Sequence, residues 1–212
     1  MAAGFAGAAF FDKVVNLGGS SGPPDHRVWS RIEAWFDAHA PSASEVLRPG
    51  MNDASIESAE QILELEFPEG FRRSLARHDG QELRGPSLVE YGFLMPLQQI
   101  VDDSRRLAKW FDERPRAAAA EEWWRPGLIP FVSRDGDYLC LDVEPPEGRP
   151  RGEVWALLHD QDPTRRRVAP DFDAWLERWA DELERGVFQL DRAAGGRLLP
   201  REPAKRSRLW TE

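Results

Sequence analysis

Cysteine is nearly absent: Cys140 stands alone in 212 residues, which excludes an internal disulfide and fits a reducing compartment. It sits between Leu139 and Leu141, without the signature of a nucleophile, and reads as an inert core thiol. Histidine is sparse as well. His26, His39, His78 and His159 are scattered, and no pair has metal-ligand spacing. There is no glycine-rich phosphate loop and no Gly-x-Ser-x-Gly elbow, so no cofactor and no metal are expected. Long apolar runs are missing too. Phe5 to Phe11 is too short to cross a bilayer and lacks a basic stretch before it, which argues for a cytoplasmic chain without an ordinary signal peptide.

Apolar side chains make up 41% of the sequence, enough for one sizeable core, and one domain with irregular ends is expected. The nine tryptophans belong mostly in or against that core, because an indole buries a large area while its N–H finds a partner. The net charge of −9 argues against nucleic acid or an anionic membrane as the main partner and suits a basic protein partner. Charge is also unevenly spread. Residues 191–212 hold six Lys or Arg against three carboxylates, a net of +3 that leaves −12 on residues 1–190. That basic tail can contact a partner or touch nucleic acid, but weak association with the body or plain disorder is the expectation.

Along the chain, residues 1–24, rich in Ala, Gly and Phe, read as a flexible N-terminal arm. Val28, Trp29, Ile32, Trp35, Phe36 and His39 recur at helical steps, and Pro41 ends that helix. Asn52 or Asp53 can cap a second helix with Ile56, Ala59, Ile62 and Leu63 inward. Pro68 suits the first turn of a third, with Phe71 and Leu75 inward and Gly80 as its stop. Residues 81–92 read as a loop, and Phe93 to Leu97 as a short edge strand limited by Pro96. Ile100, Val101, Ser104, Leu107, Ala108 and Phe111 mark a fourth helix with Asp102, Asp103, Arg105 and Arg106 outward. Residues 112–123 form either a short helix or an irregular crossover.

The strongest pattern lies between Trp124 and Trp175. Two β-prone runs, Leu128 to Ser133 and Tyr138 to Val143, flank Asp135-Gly136, and both turn residues tolerate the positive φ of a tight hairpin. A third run, Glu153 to His159, follows a Pro/Gly-rich bend. A last amphipathic helix, with Phe172, Trp175, Leu176, Trp179 and Leu183 inward, is capped by Asp171 and ended by Gly186. Residues 25–190 are thus expected to form one α+β domain, an antiparallel meander of about four to six strands packed against helices from both ends of the chain.

The ordered set Trp124-x-Pro126-Gly127-x-Ile129-Pro130-Phe131, Asp135-Gly136, Tyr138-Leu139-Cys140-Leu141-Asp142, Val154-Trp155-x-Leu157 and Val168-Ala169 to Trp175-Leu176 resembles the SUKH superfamily. Upstream, Ile56, Glu60, Ile62, Phe67-Pro68, Phe71, Leu75 and His78-Asp79-Gly80 look like the same family's first module. Together the likeness covers residues 52–190. It implies a non-catalytic binding module, in first place an immunity protein that neutralises a cognate toxin by masking its active surface. The alternative is a regulatory scaffold of the fungal cell-wall synthesis type. A hydrolase using His78 with Asp79, or His159 with Asp160, is a third reading.

The −12 body suits a basic, nuclease-like toxin, since opposite fields speed encounter. Contact residues are expected where acids and aromatics are not needed inside. These are Glu82, Glu90 and Tyr91 in the loop, Glu121, Glu122 and Trp123 in the crossover, Glu144 and Glu147 in the bend, and Asp160 and Asp162 beyond the third strand. Trp123 is the preferred anchor, because interfaces favour aromatics ringed by polar groups.

Overall fold

The computed structural model describes residues 27–113, 123–159, 164–191, 196–201 and 208–211. The expected N-terminal arm, and Glu121, Glu122, Asp160 and Asp162, lie outside those residues. The chain opens with helices α1 (Arg27–His39) and α2 (Pro41–Ser44) and strand β1 (Leu47–Pro49). Trp29, Ile32 and Phe36, spaced three and four apart, are the buried stripe of α1. Helix α3 (Asp53–Leu63) starts at Asn52, whose side chain accepts the Ser55 N–H at 2.9 Å, so one free donor of the first turn is satisfied locally. Ile56 and Ala59 face inward from it. Ile62, expected inward, is 38% exposed: the buried stripe ends one turn earlier.

Between α3 and α4 (Glu69–Arg77) the corner is closed by Glu60. One of its carboxylate oxygens accepts the Phe67 N–H at 2.7 Å and the other pairs with Arg72. Gly80 does not stop α4. That helix ends at Arg77, and His78 at once turns extended to begin β2 (His78–Gln81), antiparallel to β1. Gly80 takes φ +62° inside this strand because a Cβ there would fall 2.5 Å from the backbone of Met95. The left-handed glycine therefore serves a close approach of two backbones rather than a helix exit.

The main sheet runs β3 (Phe93–Leu94), β4 (Leu128–Arg134), β5 (Asp137–Asp142), β6 (Glu153–Leu158), β7 (Thr164–Ala169), all antiparallel and in sequence order. The β4–β5 turn is Asp135-Gly136, with φ of 47° and 96°, and Arg134 faces Asp137 across it. The register slips between Pro130 and Val132. Phe131, at the slip, meets Trp175 with ring centroids 4.9 Å apart and Phe172 at 5.4 Å.

Three runs of the meander are legible as strands, but β7 is a fourth that the arginine-rich stretch Arg165-Arg166-Arg167 conceals. Arg165 lies over the Trp155 ring, 5.4 Å from its centroid, and Arg167 pairs with Glu153 at 2.5 Å. Charged side chains with long apolar stems can line an edge strand without forfeiting packing.

Helix α5 (Leu97–Asp112) follows β3, and α6 (Phe172–Glu184) follows β7. Asp171 caps α6, accepting the Ala174 N–H at 2.7 Å, and Gly186 (φ +69°) follows its end. Asp103 of α5 does not point outward as expected, since its carboxylate accepts the Tyr138 hydroxyl at 3.1 Å and Arg106 at 2.9 Å. Helix α1 packs on α6, where Trp29 and Phe36 meet Trp179 at 5.8 and 5.9 Å between ring centroids. Arg31 of α1 reaches Glu177, Asp181 and Glu184 of α6 at 2.5–2.7 Å.

The tail is partly structured. Strand β8 (Phe188–Asp191) crosses the expected domain boundary and pairs with β9 (Arg197–Pro200). Further on, Leu209 and Trp210 are buried, and the Leu209 carbonyl accepts the Trp175 indole N–H at 3.1 Å. Apolar residues in a basic tail are what allow it to close the core.

Candidate partner-binding surface

Of the residues that invited a catalytic reading, His78, Asp79 and His159 are engaged in holding the fold, and Asp160 lies outside the described residues. The His78 ring contacts the Arg48 carbonyl through Nδ1 at 3.1 Å and Glu33 through Nε2 at 2.8 Å, and it packs edge-on against Trp29. Burial pushes the Glu33 carboxyl upward, yet hydrogen bonds from Arg77 and His78 outweigh it and hold the group below its ordinary value. Asp79 accepts the Leu97 N–H at 2.6 Å and Arg48 at 3.1 Å. His159 is tied to Asp137, which accepts both its backbone N–H and its ring Nδ1 contact at 2.9 Å. Among the described residues no group of three or more His, Cys, Asp or Glu could hold a metal ion.

Cys140 is fully buried, and desolvation pushes its thiol well up. Across the sheet Asp142 stands opposite Glu153. Like charges in register repel, and each has its own arginine: Arg125 for Asp142, Arg167 for Glu153.

The β2–β3 loop has a different character. Gln81, fully buried, donates from Nε2 to the Pro86 carbonyl at 2.8 Å and accepts the Leu94 N–H through Oε1 at 3.1 Å. One side chain thus staples the loop to both of its ends. Leu88 and Val89 are fully buried anchors, and the Ser87 carbonyl accepts the Leu198 N–H of β9 at 3.1 Å.

At the tip, Val89 and Gly92 exchange hydrogen bonds of 3.2 and 2.7 Å around Glu90 and Tyr91, which both take positive φ, 40° and 68°. Non-glycine residues there cost about 1–2 kcal/mol each, and the buried staple holds them in place. The result is a rigid projection. Tyr91 is 47% and Leu83 45% exposed, and Glu82, paired with Arg48 at 2.9 Å, stands beside Leu83.

Of the expected contact residues, Glu82 and Tyr91 are exposed on this loop and Glu90 is half-buried. Glu144 and Glu147 are exposed on the β5–β6 bend. Trp123 is not a surface anchor: it is 7% exposed and packs edge-on against Trp110 with centroids 5.5 Å apart. Its neighbour Trp124 is buried as well, because the entry to β4 runs beneath α5 rather than over the surface. Leu83 was not among the expected residues. An apolar side chain between Glu82 and Arg84, outside any helical or strand period, was the available signal.

A five-stranded antiparallel meander, helices layered on it from both ends, and a stapled loop tipped by a tyrosine define an α+β module of the SUKH kind. The chain belongs to the SMI1 / KNR4 family (SUKH-1), whose profile matches residues 50–178. Its relatives include the cell wall biosynthesis/cell cycle regulator smi1 of Schizosaccharomyces pombe, 28% identical over 80% of this chain and 38% of the relative. The cell wall assembly regulator SMI1 of Saccharomyces cerevisiae is 25% identical over 76% of this chain and 41% of its own length. A glucan synthesis regulatory protein of Neurospora crassa is 24% identical over 77% and 39%. The chain spans well under half the length of each of these relatives.

Proposed function

We propose that this chain is a protein-binding regulatory module, non-catalytic, that engages a partner through the β2–β3 loop, in the manner of a scaffold for cell-wall synthesis. The observation that carries the reading is the stapled loop, which exposes Leu83 next to Glu82 and, at its tip, Tyr91 next to Glu90. A loop fixed before binding loses little conformational freedom on association, and an exposed aromatic ringed by polar groups is the usual make-up of an interface anchor. The regulatory names borne by the family's fungal members support a scaffold role ahead of toxin neutralisation. Toxin neutralisation is a second reading, favoured by the −12 carried by residues 1–190. It requires one stoichiometric, basic partner, lethal alone, whose association slows as salt rises.

The test is affinity capture with the full chain and with a Leu83→Ser, Tyr91→Ser variant, read by quantitative mass spectrometry. Partners held by the native chain should fall about tenfold with the variant, at an unchanged thermal midpoint. An identical set of captured proteins would refute the loop as the contact surface.

A further inference from the structure

A concave feature elsewhere on the chain shares no residue with that loop. It lies where the C-terminal end of α3, the middle of α5 and the entry to β4 meet, and encloses about 310 Å³. Ile62, Ala108, Trp124 and Leu128 contribute its apolar lining. That volume is at the small end of the range for ligand pockets, on the order of 300–1,000 Å³. Ile62, Leu83 and Tyr91 are the large apolar side chains most exposed among the described residues, and Ile62 opens here.

Three charged residues line the groove: Glu64, Glu144 and Arg105. All are exposed, and among the described residues none is in an ion pair. Glu64 occupies its place against local preference. It is the C-cap of α3 in the left-handed conformation, φ 55°, where glycine is favoured, and it sets a negative charge at the negative end of a helix. The wall bearing Glu144 is fixed. Arg125 donates to the Glu144 carbonyl at 2.6 Å, and the Gly127 carbonyl accepts the Val143 N–H at 2.8 Å. Gly127, at φ +84°, leaves room for Glu144, whose Cβ lies 2.6 Å from where another would sit.

We propose that this groove takes a short segment of a partner protein in which an apolar side chain is flanked by lysine or arginine. The apolar side chain fills the cavity, the flanking cations meet Glu64 and Glu144, and Arg105 meets a backbone carbonyl of the segment. Two unpaired carboxylates against one guanidinium favour a cationic occupant over a neutral or acidic one. The −12 of residues 1–190 draws such a segment from a distance. The site is independent of the β2–β3 loop.

The test titrates the isotopically labelled full chain by NMR with a seven-residue peptide whose leucine and tryptophan are flanked by lysines. Two controls carry glutamates in place of the lysines, or serines in place of the apolar pair. The lysine-flanked peptide should shift the Trp124 indole N–H and the Ala108 amide, and neither control should. Glu64→Gly should weaken binding about three- to fivefold, the loss of one exposed ion pair, while raising the thermal midpoint by relieving the left-handed residue. Glu144→Gln should weaken it similarly with no change in stability, and the Leu83→Ser, Tyr91→Ser variant should bind normally. Shifts confined to other surfaces, equal binding of the glutamate-flanked peptide, or full affinity in both groove variants would each overturn the assignment.

Discussion

Replacing Asp79 separates a structural carboxylate from a catalytic one. Asp79 is 4% exposed, and its Oδ1 accepts the Leu97 N–H at 2.6 Å. Leu97 opens α5 behind Pro96, whose side chain cannot cap, so Asp79 supplies from β2 the acceptor that the helix start lacks. Asp79→Ala leaves a buried donor unpaired, at a cost of about 1–3 kcal/mol. Arg48, more than a third exposed, loses one of its two carboxylates, which adds little. At about 2–4 °C per kcal/mol for a chain of this size, the thermal midpoint should fall by about 2–12 °C.

Asp79→Asn keeps an oxygen toward Leu97 and should lose less than half as much. Burial raises the Asp79 carboxyl above its ordinary value, against the opposing hydrogen bonds from Leu97 and Arg48. The folded chain therefore holds this proton more tightly than the unfolded one. Its contribution is complete below the unfolded pKa and is lost as pH rises through the raised folded value. The stability of the native chain relative to Asp79→Asn should accordingly shrink as pH rises through that range. Thermal melts followed by circular dichroism between pH 4 and 8 read both effects. Equal damage from Asn and Ala would refute the capping role, and a difference that grows with pH would refute the upward push of burial on the carboxyl.

Two other outcomes follow from the core and the tail. Cys140 is fully buried with its thiol pushed well up, so iodoacetamide should label the native chain only as fast as it unfolds; rapid labelling under native conditions would contradict that burial. Arg178 donates to the carbonyls of Val168, Arg208 and Thr211 at 2.8, 3.0 and 3.4 Å. Arg178→Ala should therefore speed hydrogen exchange at residues 208–211 and cost about 1–3 kcal/mol, whereas unaltered exchange there would show that the other contacts, among them Glu182 with the Arg208 N–H and Arg134 over the Trp210 ring, hold the segment without it.

Local rules were enough for much of this fold. Helical spacing located α1, α3, α5 and α6, side-chain chemistry located the Asn52 and Asp171 caps, and Asp135-Gly136 located the β4–β5 hairpin, because each depends on residues within a few positions of one another. The exposure of Glu82 in the β2–β3 loop and of Glu144 and Glu147 in the β5–β6 bend was legible for the same reason, these being acids that no periodic pattern required inside, whereas Glu90 is half-buried. The family was legible too, from the order of short motifs along the chain.

Other features depend on pairs far apart in sequence. Gly80 is left-handed because Met95 lies against it, and the β2–β3 loop is rigid because Gln81 reaches Pro86 and Leu94 while Ser87 meets Leu198. Trp123 is buried because the chain returns beneath α5, and residues 208–211 lie on the body because Trp175 and Arg178 receive them. The sequence by itself determined most of the helices and the strands β3 to β6, since propensity, capping and turn chemistry act over one or two turns of chain, whereas β1, β2 and β7 to β9 carry no such local pattern. Which tryptophan is core, which tyrosine is exposed and where a groove opens were decided only by tertiary structure, because burial is a property of what the rest of the chain places against a residue.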